Sequence, residues 1–308
     1  MMIEKAAGRL EEKKIEYKTK VQLKNYTSFK IGGPCEILIL PHTVEEAAES
    51  VRICREEGLP VLFLGNGSNV LVSDQGFSGA VILFHHNFSD IWLLDETTVY
   101  AQAGASLARL CTFAQQNGLT GLEFAYGIPA TVGGAAFMNA GAYGGEIKDV
   151  LQFADYLDEK GKPQRRENAE LDFSYRHSFF TGKQLPILGA AFSLKKGDAQ
   201  QIRVNMDEIY GRRKAKQPLE FPSAGSTFKR PEGAYAAALI EECGLKGRTV
   251  GGAQVSEKHS GFVINRKDAT CRDVLDLIKI VQQTVKEKTG FTLECEVRKI
   301  GFEAEEGK

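Results

Sequence analysis

The segment Phe124–Gly145 constrains the fold more than any other part of the chain. Its 22 residues carry no charge and include six glycines, Pro129 and Asn139. A membrane-spanning helix needs about 20 mainly apolar residues, and this segment has few large aliphatic side chains. Small side chains let a flat, extended ligand lie against the backbone. We therefore expect a binding loop, with a packed small-residue turn between helices as the alternative.

A second glycine-rich loop, Gly65–Asn69, joins two predicted strands. Glycine permits positive φ, and successive N–H groups in such a turn can form an anion-binding nest. The third glycine of the common dinucleotide fingerprint is missing, and a strand rather than a helix is predicted after the loop. A plain hairpin is the alternative for this loop alone. Two such loops in one domain favour a large dinucleotide ligand.

Hydrophobic periodicity and capping residues predict an α+β chain. The predicted helices are 1–19, Thr43 to about Glu57, Ser106–Asn117, Asp198–Ala215 (amphipathic), about Gly233–Cys243, and Thr270 to about Lys288. The predicted strands are Pro60–Leu64, Val70–Ser73, Ala80–Phe84, Val99–Ala103, Val150–Asp158, Ile187–Leu194, Gly261–Asn265 and Thr292–Ile300, with Gly127–Gly145 irregular. A break in the pattern at Lys216–Pro222 predicts two domains, 1–212 and 213–308.

Charge and cysteine content narrow the possible partners. The net charge of −1 favours neither nucleic acid nor an anionic membrane surface. The six cysteines include no C-x-x-C pair, so we expect buried thiols in a reducing cytosol and no metal site. The charged N-terminus has no apolar core of a signal peptide. We expect a cytoplasmic monomer without a membrane segment.

Six segments carry a resemblance to a known family. They are, in order, Thr27–Gly33, Leu64–Val72, Gly127–Gly145, Ser174–Ser178, Ser223–Lys229 and Leu293–Arg298. From about residue 21 to 300 the chain resembles the UDP-N-acetylenolpyruvoylglucosamine reductase family. The resemblance implies a two-lobed FAD-binding domain of the vanillyl-alcohol-oxidase-like (PCMH-type) family, with the lobes split near residue 95. A C-terminal α+β substrate-binding domain would follow.

The resemblance also implies an activity. The expected reaction is the NADPH-dependent reduction of UDP-N-acetylglucosamine enolpyruvate to UDP-N-acetylmuramate through FAD, in peptidoglycan precursor synthesis. Sister families of that fold often tether FAD through a histidine near the first glycine loop. No histidine lies between His42 and His85 here, so we expect FAD to be bound non-covalently. An FAD-dependent oxidase of the same fold, acting on a sugar or alcohol, and a non-catalytic nucleotide-sugar or flavin-binding protein are the alternatives. The predicted cofactor-binding residues are Gly65, Asn66, Gly67, Ser68, Asn69, Gly127, Ile128, Pro129, Ala130, Thr131, Gly133, Gly134, Asn139, Ala140 and Gly141.

Three residues match the family's catalytic positions: Arg176, Ser226 and Glu296. A planar guanidinium at Arg176 suits a substrate carboxylate. Glu296 would share a proton with the same carboxylate, and Ser226 would protonate the carbanion-like carbon. Without the resemblance, the ordinary interpretations are a surface salt bridge for Arg176, a turn for Ser226 and a solvated edge strand for Glu296.

Four residues are predicted to bind the substrate: Tyr143, Arg213, Lys216 and Lys229. The basic run around Arg213 could instead complement the dipole of a helix C-terminus. Only 49 residues separate Arg176 from Ser226, too few for the tyrosine-bearing loop of longer family members. The chain therefore resembles the shorter subtype. Arg230 stands where many members have asparagine, so a direct asparagine contact does not carry over.

Overall fold

The structure, a computed structural model, describes residues 2–302. The predicted helix start at residue 1 and domain end at residue 308 lie outside this range. The described residues form seven α-helices: α1 (Met2–Glu12), α2 (Val44–Glu56), α3 (Leu107–Gln116), α4 (Val132–Phe137), α5 (Ala199–Lys216), α6 (Ala236–Glu242) and α7 (Cys271–Thr289).

The same residues form eighteen β-strands. They are β1 (Tyr17–Gln22), β2 (Pro34–Ile39), β3 (Val61–Leu64), β4 (Val70–Val72), β5 (Phe77–Leu83), β6 (Ile91–Leu93), β7 (Thr98–Gln102), β8 (Leu119–Thr120), β9 (Gly141–Ala142), β10 (Gly145–Glu146), β11 (Leu151–Leu157), β12 (Pro163–Glu167), β13 (Ile187–Ser193), β14 (Lys195–Lys196), β15 (Thr249–Val250), β16 (Ala253–Val255), β17 (Val263–Asn265) and β18 (Arg298–Ile300). The α+β prediction is confirmed.

The chain divides into two compact units. Unit 1 comprises Met1–Thr19, Glu36–Asn66 and Gly79–Arg213. Unit 2 comprises Lys20–Cys35, Gly67–Ser78 and Lys214–Lys308. The predicted boundary at 212/213 therefore lies one residue from a structural one, but two earlier segments also belong to unit 2. Unit 2 gains one of them because β4 pairs in parallel with β18, with Val70 opposite Arg298.

Most residues of the two main sheets belong to unit 1. A four-stranded sheet has the order β1-β2-β5-β3, and its core includes buried Leu10, Ile37 and Val51. A five-stranded antiparallel sheet has the order β12-β11-β13-β7-β6. Its core includes residues of α3, α4 and α5, which bury their apolar faces together with the sheet. The chain passes from the first sheet to the second between Leu83 and Ile91.

Unit 2 is built around α6, α7 and small sheets. Strands β15, β16 and β17 form an antiparallel sheet. Helix α7 buries Val274, Leu277, Ile278, Val281 and Val285, which recur at the three- and four-residue spacing of one helix face. These side chains share one apolar core with residues of α6 and of the segment before β2.

Local capping accounts for several helix limits. The side-chain hydroxyls of Thr43, Ser106 and Thr270 accept hydrogen bonds from backbone N–H groups at the starts of α2, α3 and α7. Such caps satisfy N–H groups that lack partners in the first turn. Helix α7 ends at Gly290, whose φ of 78° is the left-handed conformation that glycine adopts without steric cost.

Three predicted elements differ from the structure. The first helix ends at Glu12 rather than 19, because the chain then enters β1. The stretch predicted to be irregular contains α4, which Thr131 caps. The last strand is shorter than Thr292–Ile300 and begins at Arg298, while residues before it make only an isolated bridge between Phe228 and Cys295. Ten of the eighteen strands in the described residues were not predicted: β1, β2, β6, β8, β9, β10, β12, β14, β15 and β16.

Two further predictions concern the cysteines, expected to be buried thiols, and the helices, expected to include no membrane segment. Five of the six thiols are buried, and Cys295 is partly exposed. In residues 2–302 no helix combines the length and the apolar character needed to cross a bilayer.

Candidate functional site

The two predicted glycine loops touch each other inside unit 1. The Asn66 side-chain amide donates a hydrogen bond to the Pro129 carbonyl at 2.8 Å. A Cβ atom added to Gly65 would lie 2.2 Å from Thr131 Oγ1, closer than any real contact. Gly65 is therefore required for this approach. The first half of one loop and the middle of the other form a single surface, as expected for one extended ligand.

Helix α4 starts where the second loop packs against neighbouring backbone. The Val132 and Gly133 amides donate to the carbonyls of Ala105 and Ala103 at 2.8 and 2.9 Å. The Gly134 amide donates to the Thr131 hydroxyl at 3.4 Å. These N–H groups already donate to protein acceptors, and the bonds hold α4 in place in unit 1. Side-chain and loop donors would therefore carry more of any phosphate binding than the start of this six-residue helix.

Two adjacent glycines of α4 have different surroundings. Gly133 is buried, and its added Cβ would lie 2.9 Å from the Ala103 Cβ, so protein packing explains it. Gly134 is exposed, and its added Cβ would meet only Thr131 Oγ1, at an ordinary 3.5 Å. Glycine inside a helix costs about 0.5–1 kcal/mol relative to alanine. A ligand lying on this surface would explain the missing side chain at Gly134.

His85 was not predicted to belong to this site. Its Nε2 lies 3.2 Å from Asn66 Oδ1. Burial, followed by the neighbouring charge of His86, lowers the His85 pKa. The neutral ring with its proton on Nε2 can then donate to Asn66 and fix the orientation of that amide. The sequence offered no signal for this contact, because two strands, β4 and β5, separate His85 from the loop.

The second half of the first loop belongs to unit 2. A Cβ atom on Gly67 would lie 2.4 Å from the Tyr26 carbonyl oxygen, and its φ is 57°. The Gly67 carbonyl accepts from the Ser28 amide at 3.2 Å. Asn69 accepts from the Arg298 amide at 3.0 Å and donates from its side chain to the Glu296 carbonyl at 3.3 Å. Ser68 lies between these anchored positions and is partly exposed.

The remaining predicted cofactor residues line the rest of the second loop. Gly127 has a φ of 90°, and an added Cβ would lie 2.9 Å from Tyr210 Cδ2 and 3.2 Å from Arg213 Cδ. Packing within unit 1 therefore explains this glycine. The side chains that pack partly buried against the core of the five-stranded sheet are Ile128, Ala130 and Ala140. Gly141 pairs with Glu146 in the hairpin of β9 and β10.

Tyr143 lies at the tip of that hairpin. Tyr143 and Gly144 have φ of 53° and 89°, and Ala142 pairs with Gly145. A two-residue turn with both central φ values positive matches the twist of its strands. The turn holds the Tyr143 ring at the surface, and the Arg213 guanidinium lies 5.8 Å from its centroid.

Arg213 is a buried cation at the end of α5. Only 7% of its surface is exposed, and burial lowers its pKa. It belongs to unit 1, although the sequence assigned it to the second domain. The reason is that α5 continues to Lys216 and the Arg213 stem packs on Gly127. The structure thus brings Arg213 and Tyr143 together in unit 1.

Arg176 also lies in unit 1, in a tight turn. Ser174 and His177 exchange two backbone hydrogen bonds of 3.2 Å, so Tyr175 and Arg176 form the turn. Arg176 has a φ of 56°, which is uncommon for a residue with a side chain. Its positive charge is one of the causes that lower the Glu146 pKa, after the Lys148 and Asn139 side chains.

Asn139, another predicted cofactor residue, is completely buried. Its side-chain amide donates to the Ser174 carbonyl and to Glu146 Oε2, both at 3.0 Å. Its side-chain oxygen accepts from the Lys148 amide at 3.0 Å. These partners are all protein groups, so the side chain is engaged inside unit 1.

Ser226 and Glu296 lie on neighbouring segments of unit 2. The Glu296 amide donates to the Thr227 carbonyl, and the Lys229 amide donates to the Glu294 carbonyl, each at 2.8 Å. These bonds pair residues 227–229 with 294–296 in antiparallel register. Ser226, which follows the left-handed Gly225, therefore lies one residue from the position opposite Glu296. Both side chains are partly exposed.

Thr227 holds this pair of segments to a third. It is 2% exposed, its hydroxyl accepts from the Val263 amide at 2.9 Å, and its own amide donates to the Gly261 carbonyl at 2.8 Å. Thr227 is a structural anchor that the sequence did not suggest, because its role depends on two distant segments.

Two predicted substrate lysines remain in unit 2. Lys229 Nζ lies 3.1 Å from Glu294 Oε2, and both side chains are largely exposed. Lys216 ends α5 and is exposed. The structure thus joins Ser226, Glu296 and Lys229 through one backbone ladder.

Comparisons with known proteins match both parts of the chain that contain the predicted site residues. A family described as FAD binding domain matches residues 35–166. A family described as UDP-N-acetylenolpyruvoylglucosamine reductase, C-terminal domain, matches residues 217–300. The relative of that reductase name from Clostridium novyi is 49% identical over 95% of this chain and 94% of its own length. The one from Caldanaerobacter subterraneus is 48% identical over 91% and 92%.

Solved structures with a similar fold include a reductase of the same family. UDP-N-acetylenolpyruvylglucosamine reductase from Thermus caldophilus superposes with a TM-score of 0.78 at 36% identity, covering 93% of this chain and 98% of that one. A variant of berberine bridge enzyme, described as a reticuline dehydrogenase, reaches a TM-score of 0.51 at 16% identity. It covers 62% of this chain and 43% of that one, and shows likeness of fold alone.

Proposed function

Because the chain belongs to the UDP-N-acetylenolpyruvoylglucosamine reductase family, we propose that it reduces the enolpyruvyl ether of UDP-N-acetylglucosamine enolpyruvate. The product is UDP-N-acetylmuramate, a precursor of peptidoglycan. FAD is the cofactor, in keeping with the FAD-binding family match over residues 35–166, and NADPH is the reductant.

The contact between the two glycine loops in unit 1 is the observation that carries this proposal. Asn66 bonds to Pro129, and Gly65 packs on Thr131, so two segments far apart in sequence form one surface, which supports a single extended ligand there. The open position at Gly134 fits a flat ligand lying against α4. The donors of this surface are amides and hydroxyls rather than cations, as suits a neutral ring system with a diphosphate bound by hydrogen bonds.

When bound, FAD would supply the hydride-transfer chemistry between NADPH and the enolpyruvyl double bond, and we propose that the loops at Gly65–Asn69 and Gly127–Gly141 would hold it. The remaining requirements fall on the protein. The substrate carboxylate must be bound and its developing negative charge stabilised. The carbon next to it must receive a proton from a placed acid.

Arg176 is our candidate for the carboxylate-binding cation. Its turn holds the residue in a left-handed conformation, which costs about 1–3 kcal/mol and persists only where surrounding contacts enforce it. A guanidinium can hold a carboxylate with two parallel hydrogen bonds.

Ser226 is our candidate for the proton donor, and Glu296 for the group that shares a proton with the carboxylate. The ladder that pairs residues 227–229 with 294–296 fixes their separation along two segments. Serine is a weak acid, so it donates a proton only when neighbouring groups stabilise the alkoxide that it leaves. Partial exposure of both side chains leaves them accessible to a substrate.

The remaining assignments are also proposals. The UDP portion binds to the substrate residues Tyr143, Arg213, Lys216 and Lys229. A buried arginine against an exposed tyrosine ring suits a nucleotide that is both flat and anionic. We expect a cytoplasmic monomer without a nucleic-acid partner. Light scattering during size-exclusion chromatography tests the oligomeric state.

Anaerobic spectroscopy tests the reaction. The purified protein should be yellow, NADPH should bleach it, and UDP-N-acetylglucosamine enolpyruvate should restore the colour. Bleaching without that return would reject the substrate. Rapid recovery in air with stoichiometric peroxide would instead identify an oxidase.

The two half-reactions also test Ser226. Ser226→Ala should leave bleaching by NADPH unchanged and slow the return of colour. Ser223→Ala, in the same segment, is the matched control and should change neither rate. If Ser226→Ala behaves like its control, Ser226 is not the acid.

A further inference from the structure

Asn139 is a buried polar residue that the proposed chemistry does not use. It lies two residues after the end of α4, it is 0% exposed, and its φ is 42°. Asparagine is one of the few residues with a side chain that tolerates this left-handed conformation. A buried amide with all its groups bonded costs little, whereas one left unpaired costs about 1–3 kcal/mol. The bonding partners therefore indicate what the residue does.

Those partners belong to two segments that matter to the site. One donated bond goes to the Ser174 carbonyl in the Arg176 turn. The other goes to the Glu146 carboxylate, on the strand that follows the Tyr143 turn. The side-chain oxygen accepts from the Lys148 amide, two residues beyond that carboxylate. A single side chain thus joins α4, the β9–β10 hairpin and the Arg176 turn.

The Arg176 turn has a second attachment to the end of α4. Ser178 is fully buried, and its hydroxyl donates to the Phe137 carbonyl at 2.7 Å. The turn is therefore held on both sides, through Ser174 and Ser178, by the last residues of α4 and by Asn139. Two anchors on one helix end leave little freedom for the backbone of Arg176.

Asn139 also helps to fix the position of a charged group near the Arg176 turn, the Glu146 carboxylate. Glu146 is held between the Lys148 ammonium at 2.9 Å and the Asn139 amide, and the charge of Arg176 also lowers the pKa of this carboxylate. A carboxylate fixed in this way gives the guanidinium a constant electrostatic partner. If Glu146 moved, it could pair with Arg176 and compete with a substrate carboxylate.

We propose that Asn139 is a positioning residue for Arg176. It holds the Arg176 turn against α4 and keeps the Glu146 carboxylate in a fixed place, without contacting the ligand itself. The inference rests on the proposed role of Arg176 in binding the substrate carboxylate. It is an alternative to the prediction that Asn139 binds the cofactor directly.

Asn139→Gly is the first test variant, since glycine keeps the positive φ and removes only the side-chain bonds. We expect NADPH to bleach the variant at a rate within twofold of the parent. Recovery of colour with UDP-N-acetylglucosamine enolpyruvate should slow by about 10- to 100-fold, the range expected when a binding group is misplaced by about 1 Å. The KM for this substrate should rise, and the KM for NADPH should not.

Asn168→Gly is the matched control. Asn168 also donates two bonds to backbone carbonyls, those of Lys148 and Leu151, but none of these partners lies in the Arg176 turn. It should lower the thermal midpoint and leave both half-reactions unchanged. If Asn139→Gly does not fold, Asn139→Asp takes its place, because it keeps the volume and the acceptor for the Lys148 amide, loses the bond donated to Ser174, and places a second carboxyl group beside Glu146 Oε2.

A double-mutant cycle with Arg176→Ala separates this inference from the proposed function. If Asn139 acts through Arg176, the double variant should be no slower in colour recovery than Arg176→Ala alone. Fully multiplied losses would overturn the positioning role. An unchanged rate in Arg176→Ala would reject the proposed role of Arg176, and the inference with it. A slow Arg176→Ala beside a normal Asn139→Gly, or equal slowing of both half-reactions in Asn139→Gly, would reject the inference alone.

Discussion

Gly134 provides a direct test of where the flavin lies. Its substitution by alanine adds one methyl group on the exposed side of α4, where the nearest protein atom is Thr131 Oγ1 at 3.5 Å. That distance is ordinary van der Waals contact, so the apoprotein should accept the methyl group. Alanine is favoured over glycine inside a helix by about 0.5–1 kcal/mol. We therefore expect Gly134→Ala to be neutral or stabilising without FAD.

The expectation reverses when FAD is bound. If the flavin lies against α4, the methyl group occupies space that the ligand fills, and overpacking of this kind costs about 1–3 kcal/mol. Since each 1.4 kcal/mol is a factor of ten, the Kd for FAD should rise by about 5- to 140-fold. Titration of apoprotein with FAD, followed by flavin fluorescence, measures the Kd, and thermal unfolding of the apoprotein measures stability.

Gly8 supplies the control. It lies in α1, is exposed, and has no atom within 4 Å of an added Cβ. Gly8→Ala should stabilise the apoprotein by a similar amount and leave the Kd unchanged. If Gly134→Ala behaves like Gly8→Ala in both measurements, the α4 surface is not a flavin contact and the reasoning about its glycine is wrong.

Three further outcomes follow from the packing. Gly65→Ala places a Cβ 2.2 Å from Thr131 Oγ1 and should weaken both apoprotein stability and FAD affinity, by about 1–3 kcal/mol in unfolding, as measured by urea titration. Equal stability to the parent would contradict the contact between the loops. Thr227→Val leaves the buried Val263 amide without its acceptor and should cost about 1–3 kcal/mol in the same titration; a loss below about 0.5 kcal/mol would argue against that anchor. Because the pKa of Glu146 is lowered in the folded protein, its contribution to stability is present above the unfolded pKa and is lost as the pH falls. Glu146→Gln should therefore flatten the acid side of the stability profile below about pH 4.5, and an unchanged profile would show that the carboxylate is not paired.

Local chemistry made the helix starts predictable. Thr43, Ser106 and Thr270 cap the helices predicted to begin there, because a hydroxyl that accepts a backbone N–H bond acts within one turn. The strand after Asn69 was predicted as Val70–Ser73 from its apolar residues, and the structure has it at Val70–Val72. These features need no information from distant parts of the chain.

Helix α4 shows where local reasoning stops. Its residues are mostly glycine and alanine, and the sequence predicted irregular structure. The helix forms because Thr131 caps it and because the Val132 and Gly133 amides reach the carbonyls of Ala105 and Ala103. The partners lie about 27 to 30 residues earlier in the chain, so composition alone could not indicate them.

The sequence alone determined the fold class, the positions of the glycine loops and, through an ordered set of matching segments, the family and its reaction. The tertiary structure decided which residues meet. It joined Asn66 to Pro129, paired β4 with β18, and gave the buried Asn139 side chain bonding partners in two other segments of unit 1. The physical reason is that caps and glycine turns act over a few residues, whereas burial and hydrogen-bond partners depend on segments that only folding brings together.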